Sequence, residues 1–185
     1  VVMLYAGLRP QRIRRLINLE GFGMPDMSPE LAPKRYVEWF DALKKPARLK
    51  DYASLQEVAD RLKSTNPLLR DSHARWLAQH WAHEVAGRWV LNADPAHKRP
   101  QPLLYRLPEV LIFFSRITAP VLFVEGNQTL YFMLFNGKYS REEFLERAKH
   151  VPQFTLATLT DAGHMLHHDQ PEALAQLMAG FLLPS

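Results

Sequence analysis

Thr160-Asp161-Ala162-Gly163-His164-Met165-Leu166-His167-His168-Asp169-Gln170-Pro171-Glu172 is the stretch on which the fold turns. Ala162 and Gly163 are small enough to make a tight turn, and they deliver His164 directly. A helix is then predicted from Pro171, with Leu174, Leu177, Met178 and Phe181 on one face. Just upstream, Phe154-Thr155-Leu156-Ala157-Thr158-Leu159 reads as a strand. His164 is therefore predicted on the loop between the last strand and the last helix. A general base needs such a place, with one ring nitrogen open to its target and the other facing an acid.

The same alternation extends backward. Val121-Leu122-Phe123-Val124-Glu125 is a continuous apolar run of the kind found in strands buried on both faces. Ser140-Arg141-Glu142-Glu143 is a capping box that opens a helix to about His150. At the other end of the chain, Val1 to Gly7 reads as helix, stopped by Gly7 and Pro10. Ile13 to Glu20 reads as a short strand, and Gly21-Phe22-Gly23-Met24-Pro25 turns away from it.

Between these blocks, residues 26–116 change character to amphipathic helices separated by prolines. Pro33 to Lys45 places Tyr36, Val37, Phe40 and Leu43 at helical spacing, with Trp39 beside them. Ser54-Leu55-Gln56-Glu57 is a second capping box. Residues 71–91, with Trp76, Trp81 and Trp89, read as one long helix, and another follows near 108–116. The expectation is one inserted, all-helical subdomain within a parallel α/β core made of residues 1–25 and 117–185. In such sheets ligands bind beyond the carboxyl ends of the strands. Glu20, Asn127 and His164 all fall there.

Composition narrows the function classes. With no cysteine there are no disulfides, thiolate metal sites or cysteine nucleophile, which fits a cytoplasmic location. The net charge is +4, but the basic residues are dispersed, the densest group being Arg9, Arg12, Arg14 and Arg15. No nucleic-acid motif accompanies them, so they read as a solvated face. No apolar run reaches the roughly 18–20 residues that span a bilayer, and the first residues lack the basic start of a signal peptide. His164-x-x-His167 is not the i, i+4 helical pair of a zinc site, and His80-x-x-His83-Glu84 has the wrong order for one. No metal and no cofactor are expected. The aromatics Trp39, Trp76, Trp81, Trp89, Phe113, Phe114, Tyr131, Phe132 and Phe135 could line an apolar pocket, but large aromatics more often pack cores.

Taken with the order of elements, three segments carry a resemblance. These are Glu20-Gly21-Phe22-Gly23-Met24-Pro25, Ala119-Pro120-Val121 through Gly126, and the Gly163-His164 segment quoted above. The chain resembles the C-terminal two-thirds of a bacterial α/β-hydrolase, with residues 26–116 resembling its cap. The resemblance implies a nucleophile–histidine–acid triad, with the nucleophile at a strand–helix elbow, usually Gly-x-Ser-x-Gly. No such motif occurs here; Ser28, Ser54, Ser64, Ser72, Ser115, Ser140 and Ser185 do not follow a strand at a glycine elbow. Because Val1 to Pro10 resembles the helix after the elbow, the nucleophile and the oxyanion-hole loop are expected upstream of Val1. By itself the chain is then expected to be inactive, with the N-terminal part of the same protein as its partner.

For the acid, many relatives place Asp shortly after the penultimate strand, where this chain has Asn127-Gln128-Thr129. Some haloalkane dehalogenases place the carboxylate after the earlier strand, and Glu20 stands there. The resemblance thus implies Glu20 as the acid that orients His164. Glu125 is still within its strand, and Asp161 is too close in sequence to turn back. The expected activity is a serine-type hydrolase of a small, largely apolar ester. Two alternatives stand beside it: an Asp nucleophile of the haloalkane dehalogenase or epoxide hydrolase type, or a non-catalytic binding module.

Overall fold

The structure is a computed structural model that describes residues 1–45 and 47–183. In chain order its elements are α1 (Val2–Leu8), β1 (Leu16–Leu19), α2 (Ala32–Lys44), β2 (Asp51–Tyr52), α3 (Leu55–Thr65), α4 (Asp71–Trp81), β3 (Ala82–Val85) and β4 (Arg88–Leu91). They continue with α5 (Leu107–Ser115), β5 (Val121–Gly126), α6 (Arg141–Ala148), β6 (Phe154–Leu159), α7 (Leu166–Asp169) and α8 (Pro171–Leu182). The chain divides into two compact units, Ser28–Leu104 and the remainder on either side of it.

The flanking unit is built on a parallel sheet of order β1-β5-β6. Its central strand, β5, is buried at every position, which is why it reads as an unbroken apolar run. Alternation still decides which layer each side chain joins. Val121 packs with Met3 and Ala6 of α1 and with Val110 and Phe114 of α5. Phe123 packs with Phe144 and Ala148 of α6. Leu122 and Val124 point the other way, onto Leu166 of α7 and Leu174 of α8, where Leu177, Met178 and Phe181 also pack. The stripe predicted for the last helix is thus the stripe that covers this face.

The strand expected over 13–20 is confined to Leu16–Leu19, because it pairs only where β5 runs alongside, from Leu16 opposite Val121 to Leu19 opposite Val124. Among the described residues its outer edge has no strand partner. The helix at α5 belongs to this unit and not to the insertion, so the inserted segment is shorter than 26–116. Two features anchor α5. Asp26 Oδ1 accepts from the Leu107 N–H at 2.8 Å, supplying a cap from a distant segment. Gly7 of α1 also lies so close that a Cβ there would stand 2.2 Å from the Phe113 carbonyl oxygen.

The unit Ser28–Leu104 is not all-helical. The long helix expected over 71–91 ends at Trp81, and β3 and β4 form a hairpin that continues into β2, in the antiparallel order β2-β4-β3. Its two-residue turn, Ala86-Gly87, has positive φ at both residues, 50° and 76°. That is the turn whose twist suits a hairpin. Ser54 caps α3 as expected, its Oγ accepting from the Glu57 N–H, while Glu57 Oε2 reaches one residue further back and accepts from the Ala53 N–H at 2.8 Å. The core of this unit lies between α3 and α4, around Val58, Ala59, Ala74 and Ala78, with Tyr52 and Ala82 of the sheet. Trp89 packs against it, whereas Trp76 and Trp81 are exposed. The apolar face of α2, with Tyr36, Val37, Phe40 and Leu43, is exposed as well.

No helix among the described residues is long and apolar enough to cross a membrane. Replacing Gly7 with alanine is expected to force α1 and α5 apart and to destabilise the fold by about 1–3 kcal/mol. A lowered urea midpoint at unchanged m-value checks this.

Candidate active site

Parallel pairing in register brings the carboxyl ends of β1, β5 and β6 to one edge of the sheet. Glu20 leaves β1 there, Gly126 to Thr129 leave β5, and Thr160 to His164 leave β6. The ladder reaches slightly beyond the strands: the Glu20 N–H donates to Val124 O and the Asn127 N–H to Leu159 O, each at 2.9 Å. Three loops therefore start from a shared rigid base.

Glu20 adopts φ 53°, in the left-handed region that non-glycine residues seldom occupy. Such a conformation carries a penalty of about 1–2 kcal/mol and persists only where its surroundings impose it. The surroundings here are specific. Asn18, buried in β1, accepts from the Gly21 N–H at 3.1 Å and donates to the Gly21 carbonyl at 3.3 Å. The next three carbonyls each have a side-chain donor: Tyr139 Oη donates to Phe22 O at 2.6 Å, Tyr131 Oη donates to Gly23 O, and Arg147 Nη1 donates to Met24 O at 2.6 Å. Burial pushes the Tyr131 and Tyr139 phenols above their ordinary range, so both stay protonated and remain donors. The turn after β1 is thus clamped at four successive residues, and its backbone throws the Glu20 side chain inward.

The structure brings Glu20 and His164 together across 144 residues of sequence, with His164 Nδ1 3.1 Å from Glu20 Oε2. Their exposure differs sharply: the Glu20 side chain is 1% exposed and the His164 ring 48%. A carboxylate only accepts hydrogen bonds, so Nδ1 is the donor in this contact and Nε2 faces away from Glu20. The carboxylate also accepts from the Gly126 N–H through Oε1 and from Thr129 Oγ1 through Oε2, each at 2.6 Å. The ring of Tyr131 lies beside that of His164, with centroids 5.1 Å apart and planes inclined by 31°. Asp169 supports the loop from below, accepting from the Gly163 N–H at 2.9 Å.

The other carboxylates are occupied differently. Glu125 is buried and held by Arg141 through both Nε and Nη2, at 2.9 and 2.6 Å, with the Thr158 hydroxyl on the same carboxylate. That hydrogen bond raises the pKa of Arg141. Asp161 lies on the surface, its carboxylate reached by Gln128 Nε2 at 3.4 Å. Asn127 is bound to β6 through its backbone. The His167 pKa is lowered, mainly by burial and further by His164, while Asp169 opposes the shift. Among the described residues no group of three His, Asp or Glu side chains could hold a metal ion. Ser185 lies outside the described residues.

Thr129 and Asp169 are site residues that sequence reasoning does not single out, and Tyr131 is named there only among the aromatics that could line a pocket. The one signal for them is position: Thr129 and Tyr131 follow β5 within five residues of Gly126, where a loop at this sheet edge must face its neighbours. The aromatics Tyr131, Phe132 and Phe135 pack on the cluster around Phe123 and Phe144 and do not stand apart as a pocket lining.

No protein-family model matches the sequence. The chain is 25% identical to mouse sn-1-specific diacylglycerol lipase ABHD11 over 189 residues, covering 97% of this chain and 54% of that protein. Among solved structures it is similar to a hypothetical protein of Pseudomonas aeruginosa, at 24% identity and TM-score 0.80, covering 97% of this chain and 62% of that one. It is also similar to the thioesterase domain from the curacin biosynthetic pathway, at 22% identity and TM-score 0.73, covering 96% and 60%. The chain has the α/β-hydrolase fold. It spans about half the length of the curated relative and about three-fifths of the solved ones.

Gly126 is a point of close approach between β5 and the histidine loop, since a Cβ there would lie 2.2 Å from the Ala162 carbonyl oxygen. Replacing Gly126 with alanine is expected to push that loop outward and break the His164–Glu20 hydrogen bond. The destabilisation should be about 1–3 kcal/mol. A urea midpoint and the imidazole N–H resonance of His164 would read the two effects separately.

Proposed function

We propose that Glu20 and His164 are the acid and base of a hydrolase, and that the nucleophile is a serine contributed by sequence N-terminal to Val1 in a longer protein. The observation that carries this reading is the His164 Nδ1–Glu20 Oε2 hydrogen bond between a buried carboxylate and a half-exposed ring. His164 Nε2 would take the hydroxyl proton as the serine attacks the substrate carbonyl, and would later deprotonate water to release the acyl group. Glu20 would hold the imidazole in the Nδ1–H tautomer and stabilise the imidazolium without taking its proton. Backbone N–H groups of the same N-terminal segment would hold the oxyanion.

The bond cleaved would be an ester or thioester with an apolar acyl group. The similarity to proteins named as a diacylglycerol lipase and as a thioesterase domain supports that choice. So does the exposure of Leu130, Met133 and Leu134 on the segment whose Tyr131 lies beside His164.

In the longer protein, His164→Ala and Glu20→Gln are each expected to lower kcat on a nitrophenyl ester. For Glu20→Gln the loss should be about 10⁴-fold, the size seen when the acid of a serine-protease triad is changed to its amide. A fluorophosphonate probe should label a serine N-terminal to Val1. Full activity in Glu20→Gln would remove Glu20 from the site. Halide release or epoxide opening without fluorophosphonate labelling would point to an aspartate nucleophile instead.

A further inference from the structure

Two donors converge on one oxygen of Glu20. Oε2 receives His164 Nδ1–H at 3.1 Å and the Thr129 hydroxyl at 2.6 Å. Oε1 receives only the Gly126 N–H among the hydrogen bonds of the described residues. The Gly126 contact is made by a backbone amide and not by a side chain, and His164 is the group to be oriented. The Thr129 hydroxyl is therefore the side-chain contact that sets the rotation of the carboxylate about its last bond. That torsion is broad and two-fold in the absence of such a contact.

The direction of the hydroxyl is itself constrained. The Tyr131 N–H donates to Thr129 Oγ1 at 3.4 Å, which occupies a lone pair and leaves the single proton to face Glu20. A 2.6 Å O–H···O contact falls in the range of hydrogen bonds to an ionised acceptor. The γ-methyl group of threonine restricts χ1, so the hydroxyl has few other places to point. We propose that Thr129 is a positioning residue for the acid: it locks Glu20 Oε2 in the line of His164 Nδ1, and through Glu20 fixes the tautomer and direction of the imidazole. Thr129 touches no reacting atom. Its role rests on the reading of Glu20 and His164 as the acid–base pair.

The imidazole nitrogens and N–H of His164 in the longer protein provide a direct test by ¹H–¹⁵N NMR. The unsubstituted chain should show a downfield, slowly exchanging Nδ1–H and the ¹⁵N pattern of one tautomer. Thr129→Val keeps the shape and the branching but removes the donor; loss of the slow Nδ1–H signal and averaging of the two ¹⁵N shifts are expected, with folding monitored by amide dispersion. Thr129→Ser restores the hydroxyl and should recover the signal. Equal loss in Val and Ser, or an unchanged signal in Val, overturns the proposal. Glu20→Gln keeps the two failures apart. If it leaves the His164 signal untouched, the acid–base reading itself fails. If it abolishes the signal while Thr129→Val does not, Glu20 stands and Thr129 drops out.

Discussion

Keeping the Glu20 carboxylate out of water is the constraint on which the site depends. An ionised carboxyl taken from water loses several kcal/mol of solvation even after relaxation, unless donors replace the water it gave up. Here the donors come from three places in the chain: a backbone amide at the end of β5, a hydroxyl three residues later, and the imidazole beyond β6. None of them would be in reach if the three strands were out of register by a residue. The sheet, its order and its register are thus prerequisites for the one buried charge that faces the histidine, and the site is only as well ordered as the ladder that carries it.

The second buried carboxylate shows how a neighbouring residue of the same type is kept from competing. Glu125 lies on β5, one residue before Gly126, yet its charge is matched by the two-pronged guanidinium of Arg141 at the start of α6. A planar fork fits a carboxylate and leaves little freedom to either partner. Two acids on adjacent strands thus have opposite assignments: one anchors a helix, the other faces an imidazole.

Much of this is legible in the sequence because it rests on local rules. The run at 121–125, the stripe on the last helix and the N-cap at Ser54 are each determined by a few adjacent residues, and they appear where those residues predict. The hairpin at 82–91 is not legible because the tryptophan-rich run 71–91 reads as one helix across the Ala86-Gly87 turn, and alanine is an uncommon residue at positive φ. The boundary drawn from sequence takes in α5 because it reads as one more helix after a proline-rich loop, although it is more apolar than the helices before it. Its packing on α1 and β5 and its cap from Asp26 assign it to the core. Thr129 cannot be found by pattern at all: its importance is that it meets Glu20 across 109 residues, a distance that no local periodicity encodes.

The clamp on the turn after β1 has a mechanical consequence. Phe22, Gly23 and Met24 are held through their carbonyls by Tyr139, Tyr131 and Arg147, all from the segment between β5 and β6. The unit Ser28–Leu104 leaves the core only four residues beyond Met24. A tug on the chain from that side meets fixed points before it reaches Glu20. The position of the acid is thus set by contacts that involve no residue of Ser28–Leu104.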